Sequence, residues 1–373
     1  MRNVRAGVFL PPHHGNDEDV ALCMRRDLEL VDWLEHLGFA ELWLGEHHSG
    51  GMQIYGSPEL FIAAAAERTS RIKLGAGVIS VPYHHPYMIA DRIVQLDYQT
   101  RGRAMFGFGP GMLVSDAHML DIKPEQQRER LVEGLDIITR LLDGETVTHK
   151  SDWFSLKDAS LQMAPYSFRR PELAVVTSKT PVGSRLAGKY NMGILTHGGG
   201  DVAGAWKLAE EAGAAHGNQL DRNNLRVVVS FHLAETRADA VSAMRFGLEP
   251  WMAYLEALSP KSYAETRAKA GSDPAEIISV RGGLVGTPDD AVEYLEALWE
   301  KTGGFGCITM TGTNWMDFEA TKRSYELMMR YVMPRFNRKN SQREKSFNWV
   351  HENREAFSGA NQAAIAKAVA DNG

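Results

Sequence analysis

Six of the 13 histidines fall in three pairs, and each pair follows a short apolar run. His13-His14 follows residues 4–10, Glu46-His47-His48 follows residues 40–44, and His84-His85 follows residues 72–81. Imidazole exchanges a proton near neutral pH and also ligates metals. Three pairs at equivalent places therefore point to proton transfer or metal binding at one site. Metal sites need convergent ligands, usually with carboxylates from other elements. The late apolar runs here end in Thr196-His197, Ala234-Glu235 and Thr311-Gly312. No metal ligand is assigned, and a metal hydrolase stays only as an alternative.

A second group of residues suits a flat cofactor with an anionic tail. Gly75, Gly77, Gly107, Gly109 and Gly111 cluster in the third and fourth apolar runs. Glycine there either eases packing or lets a ring approach the backbone. The run Val176-Thr177-Ser178-Lys179-Thr180-Pro181-Val182-Gly183-Ser184-Arg185 passes from a strand end into a helix start, with hydroxyls and two cations. That combination can hold a phosphate; Thr180 could equally be an ordinary helix cap. Met105, Phe106, Phe108, Met112, Leu113 and Met119 supply apolar material nearby.

These residues need a scaffold that brings strand ends together. The chain alternates β-rich and helical runs, with strands expected at 4–10, 40–44, 72–81, 104–108, 173–176, 192–196, 225–233 and 306–310. Each leads into a helical segment. Helix starts are signalled by Ser57-Pro58 and by Thr287-Pro288-Asp289-Asp290. Eight alternating units with Val/Ile/Leu-rich strands predict an α/β fold, a (β/α)8 TIM barrel. An open Rossmann-like sheet lacks its fingerprint, because Gly107-Phe108-Gly109-Pro110-Gly111 has the wrong spacing. Residues 143–165 read as an insertion with short strands, and residues 258–283 as a polar insertion able to act as a lid. The barrel is expected over residues 1–336, with a partly helical C-terminal extension over 337–373 packed on the barrel or on another subunit.

Composition narrows the class. Of 373 residues, 44% are hydrophobic and 24% charged, and the net charge of −6 argues against nucleic acid or an anionic membrane as partner. No apolar run approaches the ~18 residues of a membrane helix. Two cysteines, Cys23 and Cys307, make no disulfide framework. A cytoplasmic protein is expected.

The chain resembles the bacterial luciferase-like flavin monooxygenases over roughly residues 4–335. The resemblance rests on Leu42-Trp43-Leu44-Gly45-Glu46-His47-His48, Gly75-Ala76-Gly77-Val78-Ile79-Ser80-Val81-Pro82, Gly102-Arg103, Phe106-Gly107-Phe108-Gly109 and Leu284-Val285-Gly286-Thr287-Pro288. The opening Gly7-Val8-Phe9-Leu10-Pro11-Pro12-His13-His14 is most similar to the limonene monooxygenase-like branch. The resemblance implies a barrel that receives reduced FMN from a separate NAD(P)H:flavin reductase. O2 adds at flavin C4a, and the resulting (hydro)peroxide oxygenates an organic substrate. By position, Gly77-Val78 matches a non-prolyl cis peptide beneath the flavin ring. Gly109, Met112 and Leu113 match a loop near the flavin, and Arg128 a residue near the phosphate. Val176, Thr177 and Ser178 match the phosphate-binding strand end. His47 matches the catalytic histidine and Glu46 its neighbour. Pro110 stands where luciferase has a phosphate-gripping arginine, which leaves Lys179 or Arg185 to meet that charge. His197 replaces a large aromatic.

A small apolar substrate is expected, because few cations line these loops. A homodimer or higher homo-oligomer is implied. Two further readings stand beside the oxygenase: an F420-dependent hydride-transfer oxidoreductase and a non-catalytic flavin-binding protein.

Overall fold

The structure is a computed structural model that describes residues 2–11, 13–177 and 180–372. Its centre is a closed barrel of eight parallel strands. In chain order the first half contains β1 (Arg5–Leu10), α1 (Val20–Leu37), β2 (Glu41–Leu44), α2 (Pro58–Ala66), β3 (Lys73–Ser80), α3 (Pro86–Thr100), β4 (Ala104–Gly109), α4 (Val114–Met119) and α5 (Pro124–Leu142). A hairpin of β5 (Val147–Lys150) and β6 (Ser155–Ala159) follows, and the 143–165 insertion is therefore the expected pair of short strands. The barrel resumes with β7 (Glu172–Thr177), α6 (Val182–Tyr190), β8 (Gly193–His197), α7 (Val202–Ala215) and β9 (Leu225–Val229).

The seventh unit departs from the sequence expectation. The apolar run 225–233 is not one strand. It breaks at Ser230, and β10 (Phe231–Leu233) leaves the barrel to pair with β11 (Leu284–Gly286). Between these two lie α8 (Arg237–Ala243), α9 (Leu248–Leu258), α10 (Pro260–Ala270) and α11 (Pro274–Val280). The polar segment 258–283 is thus largely helical, and its few apolar residues close a core of their own. Ile277 and Ile278 join Met244, Leu248, Met252 and Trp315 in that cluster. The chain ends with α12 (Pro288–Thr302), β12 (Cys307–Thr311), α13 (Phe318–Leu327), α14 (Met333–Phe336), α15 (Ser341–Glu352) and α16 (Arg354–Asn372).

Local chemistry fixes the helix ends. Thr287 and Asp290 form a reciprocal capping box at the start of α12, and Gly303 closes it with φ of 72°. Ser57 does not cap α2. Its hydroxyl donates to Glu59 at 2.9 Å, and Pro58 in the first turn is left as the start signal.

The barrel interior is layered. Trp43 fills the middle with Met105, Ala174, Leu195 and Val228. Gly75 makes this possible, since a Cβ there would lie 2.5 Å from the indole. Below, where the strands begin, Arg226 donates to Glu41 at 2.6 Å and also pairs with Glu172. Its guanidinium lies 5.0 Å from the Trp43 ring centroid. Arg5 and Lys73 pair with the outer sides of the same two carboxylates. A cavity of about 480 Å³ opens at this end, lined by Arg5, Glu41, Lys73 and Glu172 among others.

Asn337 belongs to the barrel: it is fully buried and exchanges hydrogen bonds with the backbone of Val4. The helices beyond it are exposed, and Trp349 of α15 meets Phe357 of α16 at 5.0 Å between ring centroids. Neither α15 nor α16 has a buried residue.

Candidate active site

The carboxyl ends of the barrel strands form the mouth where barrel enzymes place their chemistry. Successive residues of an extended segment face opposite ways, so each histidine pair divides. His13 turns inward. Its Nδ1 donates to the Pro11 carbonyl at 2.9 Å, which leaves Nε2 to accept from the Gln53 amide at 3.3 Å. Burial pushes the His13 imidazole down to about 3, so it is neutral. His14 turns outward. Its Nδ1 accepts from Arg26 at 2.8 Å, and its Nε2 donates to buried Asp27 at 2.8 Å. That bond ties the loop after β1 to α1. His85 also leaves the site and caps α3, accepting from the Tyr87 N–H at 3.2 Å.

Glu46, His48 and His84 converge. One Glu46 oxygen accepts from His48 Nε2 at 2.9 Å and from His84 Nε2 at 2.6 Å. The other oxygen accepts from the Ser80 N–H at 2.6 Å. Burial alone would raise this carboxyl, but the donors from His48, His84 and Ser80 hold it down at about 2. The hydrogen bond to Glu46 raises the His48 imidazole in turn. Their ligand atoms lie within 4.8 Å of one another, a spacing a metal could use. Each is already engaged, however, and a hydrogen-bonded clamp between the β2 and β3 loops accounts for all of them.

His47 is held differently. Its Nδ1 lies 3.6 Å from a carboxylate oxygen of Asp116, too long for a hydrogen bond, and is buried without another partner. Asp116, on α4, is itself buried and accepts from the Ser49 hydroxyl and the His48 N–H. Burial would raise its carboxyl; His47, Ser49 and the His48 amide hold it below the ordinary range. Sequence reading missed Asp116, because an acid in the polar run Val114-Ser115-Asp116-Ala117-His118 carries no signal. It also missed Tyr254 on α9, which reads as core. The Tyr254 ring meets His13 edge-on at 5.2 Å and reaches Gly50, docking the insertion on the mouth.

The residues assigned to the flavin fall into two groups. Val78, Gly109 and Val176 form one wall, since a Cβ on Gly109 would lie 2.6 Å from Val78 and 3.1 Å from Val176. The Gly77-Val78 peptide is cis. Gly45 links this wall to the histidine: its side-chain position lies 3.7 Å from the Gly77 carbonyl and 3.9 Å from the His47 ring. Leu113 is buried at the start of α4, and Met112 beside it is exposed. Gln127 donates to the Pro110 carbonyl at 2.9 Å.

The second group surrounds the start of α6. Among the described residues the buried hydroxyl of Thr177 has no partner. Thr180 does not cap the helix; Pro181 stands at the cap, and no side chain caps α6 among the described residues. Ser178 and Lys179 lie outside the described residues. Arg128 and Arg185 are exposed, and neither has a carboxylate within 4.0 Å among the described residues. An unpaired hydroxyl, uncapped N–H groups and free cations fit a phosphate. His197, at the end of β8, is open to solvent at the mouth. Surrounding protein, then nearby Arg281, lowers its imidazole and favours the neutral form.

A closed (β/α)8 barrel with a histidine beside a buried carboxylate at the carboxyl ends of its strands has the architecture of a barrel enzyme. The sequence model of luciferase-like monooxygenases matches residues 4–305, and the chain belongs to that family. Limonene 1,2-monooxygenase of Rhodococcus erythropolis is 43% identical over 364 residues, covering 96% of this chain and 93% of that protein. The 4-hydroxyprotoasukamycin monooxygenase of Streptomyces nodosus subsp. asukaensis is also 43% identical over 364 residues, covering 94% of this chain and 97% of that protein. The fold matches the oxygenating constituent of 3,6-diketocamphane monooxygenase of Pseudomonas putida, solved with FMN. Its TM-score is 0.75 at 24% identity, covering 89% of this chain and 99% of that one.

Proposed function

We propose that the protein is the oxygenating component of a two-component monooxygenase. It takes reduced FMN from a separate NAD(P)H:flavin reductase and transfers one atom of O2 to a small apolar organic substrate. The 43% identity to two named monooxygenases over nearly their whole length carries this reading. Bound reduced FMN supplies the two electrons with which O2 yields one oxygen atom for the substrate and one for water. The wall of Val78, Gly109 and Val176 takes the ring, and Thr177, the start of α6, Arg128 and Arg185 take the phosphate.

His47 handles the proton. Asp116 faces Nδ1 at 3.6 Å, and a small approach of the two on cofactor binding would hold the hydrogen on that nitrogen and leave Nε2 as the acceptor. The Glu46 clamp fixes the backbone on either side of it. The insertion over residues 234–283 keeps water from the mouth, where stray protons would otherwise divert the reaction to H2O2. The exposed Met112, Val114, Met119 and Leu120 give the rim an apolar character suited to the substrate.

Rapid mixing of the anaerobic protein–FMNH2 complex with O2 tests the reading. A transient absorbing species that outlives the free-solution reaction is expected. A chain that binds F420 and does not bind FMNH2 would overturn it. In His47→Ala, FMNH2 binding is retained and the product shifts to H2O2; unchanged coupling removes His47 from the mechanism.

A further inference from the structure

The insertion brings to the mouth one cation that sequence reading missed. Arg281 is the cap residue at the end of α11. Its backbone and Gly282 press on the glycine loop after β8. A Cβ on Gly199 would lie 3.0 Å from the Arg281 carbonyl, and one on Gly282 would lie 2.5 Å from Gly199. The Tyr294 hydroxyl donates to the Gly282 carbonyl at 2.8 Å and holds this turn in place.

The Arg281 side chain is partly buried and has no acidic partner. Its guanidinium lies 5.1 Å from the Trp251 ring centroid. Nη1 donates to the Ser262 and Thr266 hydroxyls at 3.3 and 3.5 Å, both long for hydrogen bonds. The other two guanidinium nitrogens make no hydrogen bond among the described residues and are not sealed from solvent. Among those residues no carboxylate lies within 4.0 Å of Arg281, whereas Arg237 and Arg267 of the same insertion pair with Asp290 and Glu249. Burial lowers the Arg281 guanidinium, and no neighbouring acid raises it. Arg226 at the other end of the barrel has the opposite outcome, because Glu41 and Glu172 raise it. A partly dehydrated cation without counter-charge is unfavourable until an anion meets it. The planar fork of a guanidinium matches a phosphate or a carboxylate.

Position narrows the ligand. Arg281 is close enough to His197 to lower that imidazole. His197 ends β8, and Thr196 before it pairs with Thr177, its hydroxyl donating to the Thr177 carbonyl at 3.3 Å. Arg281 therefore stands beside the strand that neighbours Thr177 and the start of α6. We propose that Arg281 receives an anionic oxygen group of the molecule bound at the mouth, so that the insertion itself is a binding element. The flavin phosphate is the expected source, which rests on the oxygenase reading above. An acidic group on the substrate is the other source.

Fluorescence titration with FMN and riboflavin, which share a ring and differ in the phosphate, tests the first source. The wild type is expected to bind FMN at least about tenfold more tightly than riboflavin. Arg281→Met should lose most of that preference with riboflavin affinity unchanged, and Arg281→Lys should keep part of it. FMN, but not riboflavin, should slow hydrogen exchange over residues 234–283 in the wild type and not in Arg281→Met. Calorimetry with cyclohexene-1-carboxylate and 1-methylcyclohexene tests the second source. If the flavin preference survives in Arg281→Met and a preference for the carboxylate is lost, the anion belongs to the substrate. If both preferences survive in Arg281→Met, or the wild type has neither, the proposal is overturned. A wild type that binds neither flavin removes the oxygenase reading and its phosphate arm, and the carboxylate arm then decides.

Discussion

The floor and the mouth of the barrel handle buried polar groups in opposite ways. At the floor, Arg226 is fully buried between Glu41 and Glu172, and Arg5 and Lys73 complete the set. Burial would raise both carboxyls and lower the guanidinium, but mutual attraction holds Glu172 at about 2 and raises Arg226. At the mouth, polar atoms are left without partners. Of the seven described residues with such buried atoms, His47, Thr177, His232, Thr313 and Trp315 lie at or just beyond the carboxyl ends of barrel strands. An unpaired buried polar group costs ~1–3 kcal/mol. One end of the barrel is arranged for persistence, and the other keeps open positions that a bound molecule can satisfy.

Removing a charge from the floor should have the largest effect. Arg226→Met leaves buried Glu41 with only Arg5 and the Trp43 indole N–H as partners, with an expected loss of about 3 kcal/mol in urea unfolding. Adding Glu41→Gln should recover part of it. A floor variant that loses no stability would erase the contrast. At the mouth, Gly109→Ala forces a Cβ to within 2.6 Å of Val78. It should weaken FMNH2 binding by about tenfold, read by fluorescence titration, with about 1–3 kcal/mol of overpacking. Asp116→Asn should raise the H2O2 yield in the same sense as His47→Ala but by less, roughly tenfold in rate. Because the two act as a unit, the double variant should be no worse than His47→Ala alone.

The smallest effect is on acid stability. Burial lowers the His232 imidazole to about 4, against an ordinary value of 6.5. Below the ordinary value the unfolded chain binds a proton that the folded chain refuses, so stability falls as the pH drops from 6.5 toward 4. His232→Leu should make this decline shallower by about 1 kcal/mol between pH 6 and pH 5, measured by denaturant titration at each pH.

The barrel was legible because its strands are buried on both faces and are therefore rich in Val, Ile and Leu. The same property hid the break in the seventh strand. Residues 225–229 and 231–233 are equally apolar, and only the Leu284 N–H bonding to the Ser230 carbonyl shows where the chain leaves the sheet. The histidine pairs located the mouth but overstated its content, because His14 and His85 face away from it. Asp116 and Tyr254 were illegible for opposite reasons. One is an acid in a polar turn and the other an aromatic in an apolar helix, and only the fold places them against His47 and His13. Helices α10 and α11 escaped notice because their core is shared with α8, α9 and Trp315, not contained within either helix.

The pairing of β10 with β11 has a bearing on how such a protein diversifies. Residues 234–283 begin and end on two strands already hydrogen-bonded to each other. The chain entropy of bringing those ends together is therefore met by the barrel side, and lengthening the segment adds only about 0.6 kcal/mol per doubling. This stretch can change length at little entropic cost, provided its contacts with Trp315 and His13 are kept. The shape of the mouth can then drift through changes in this segment while the charged floor, at the far end of the strands, stays as it is.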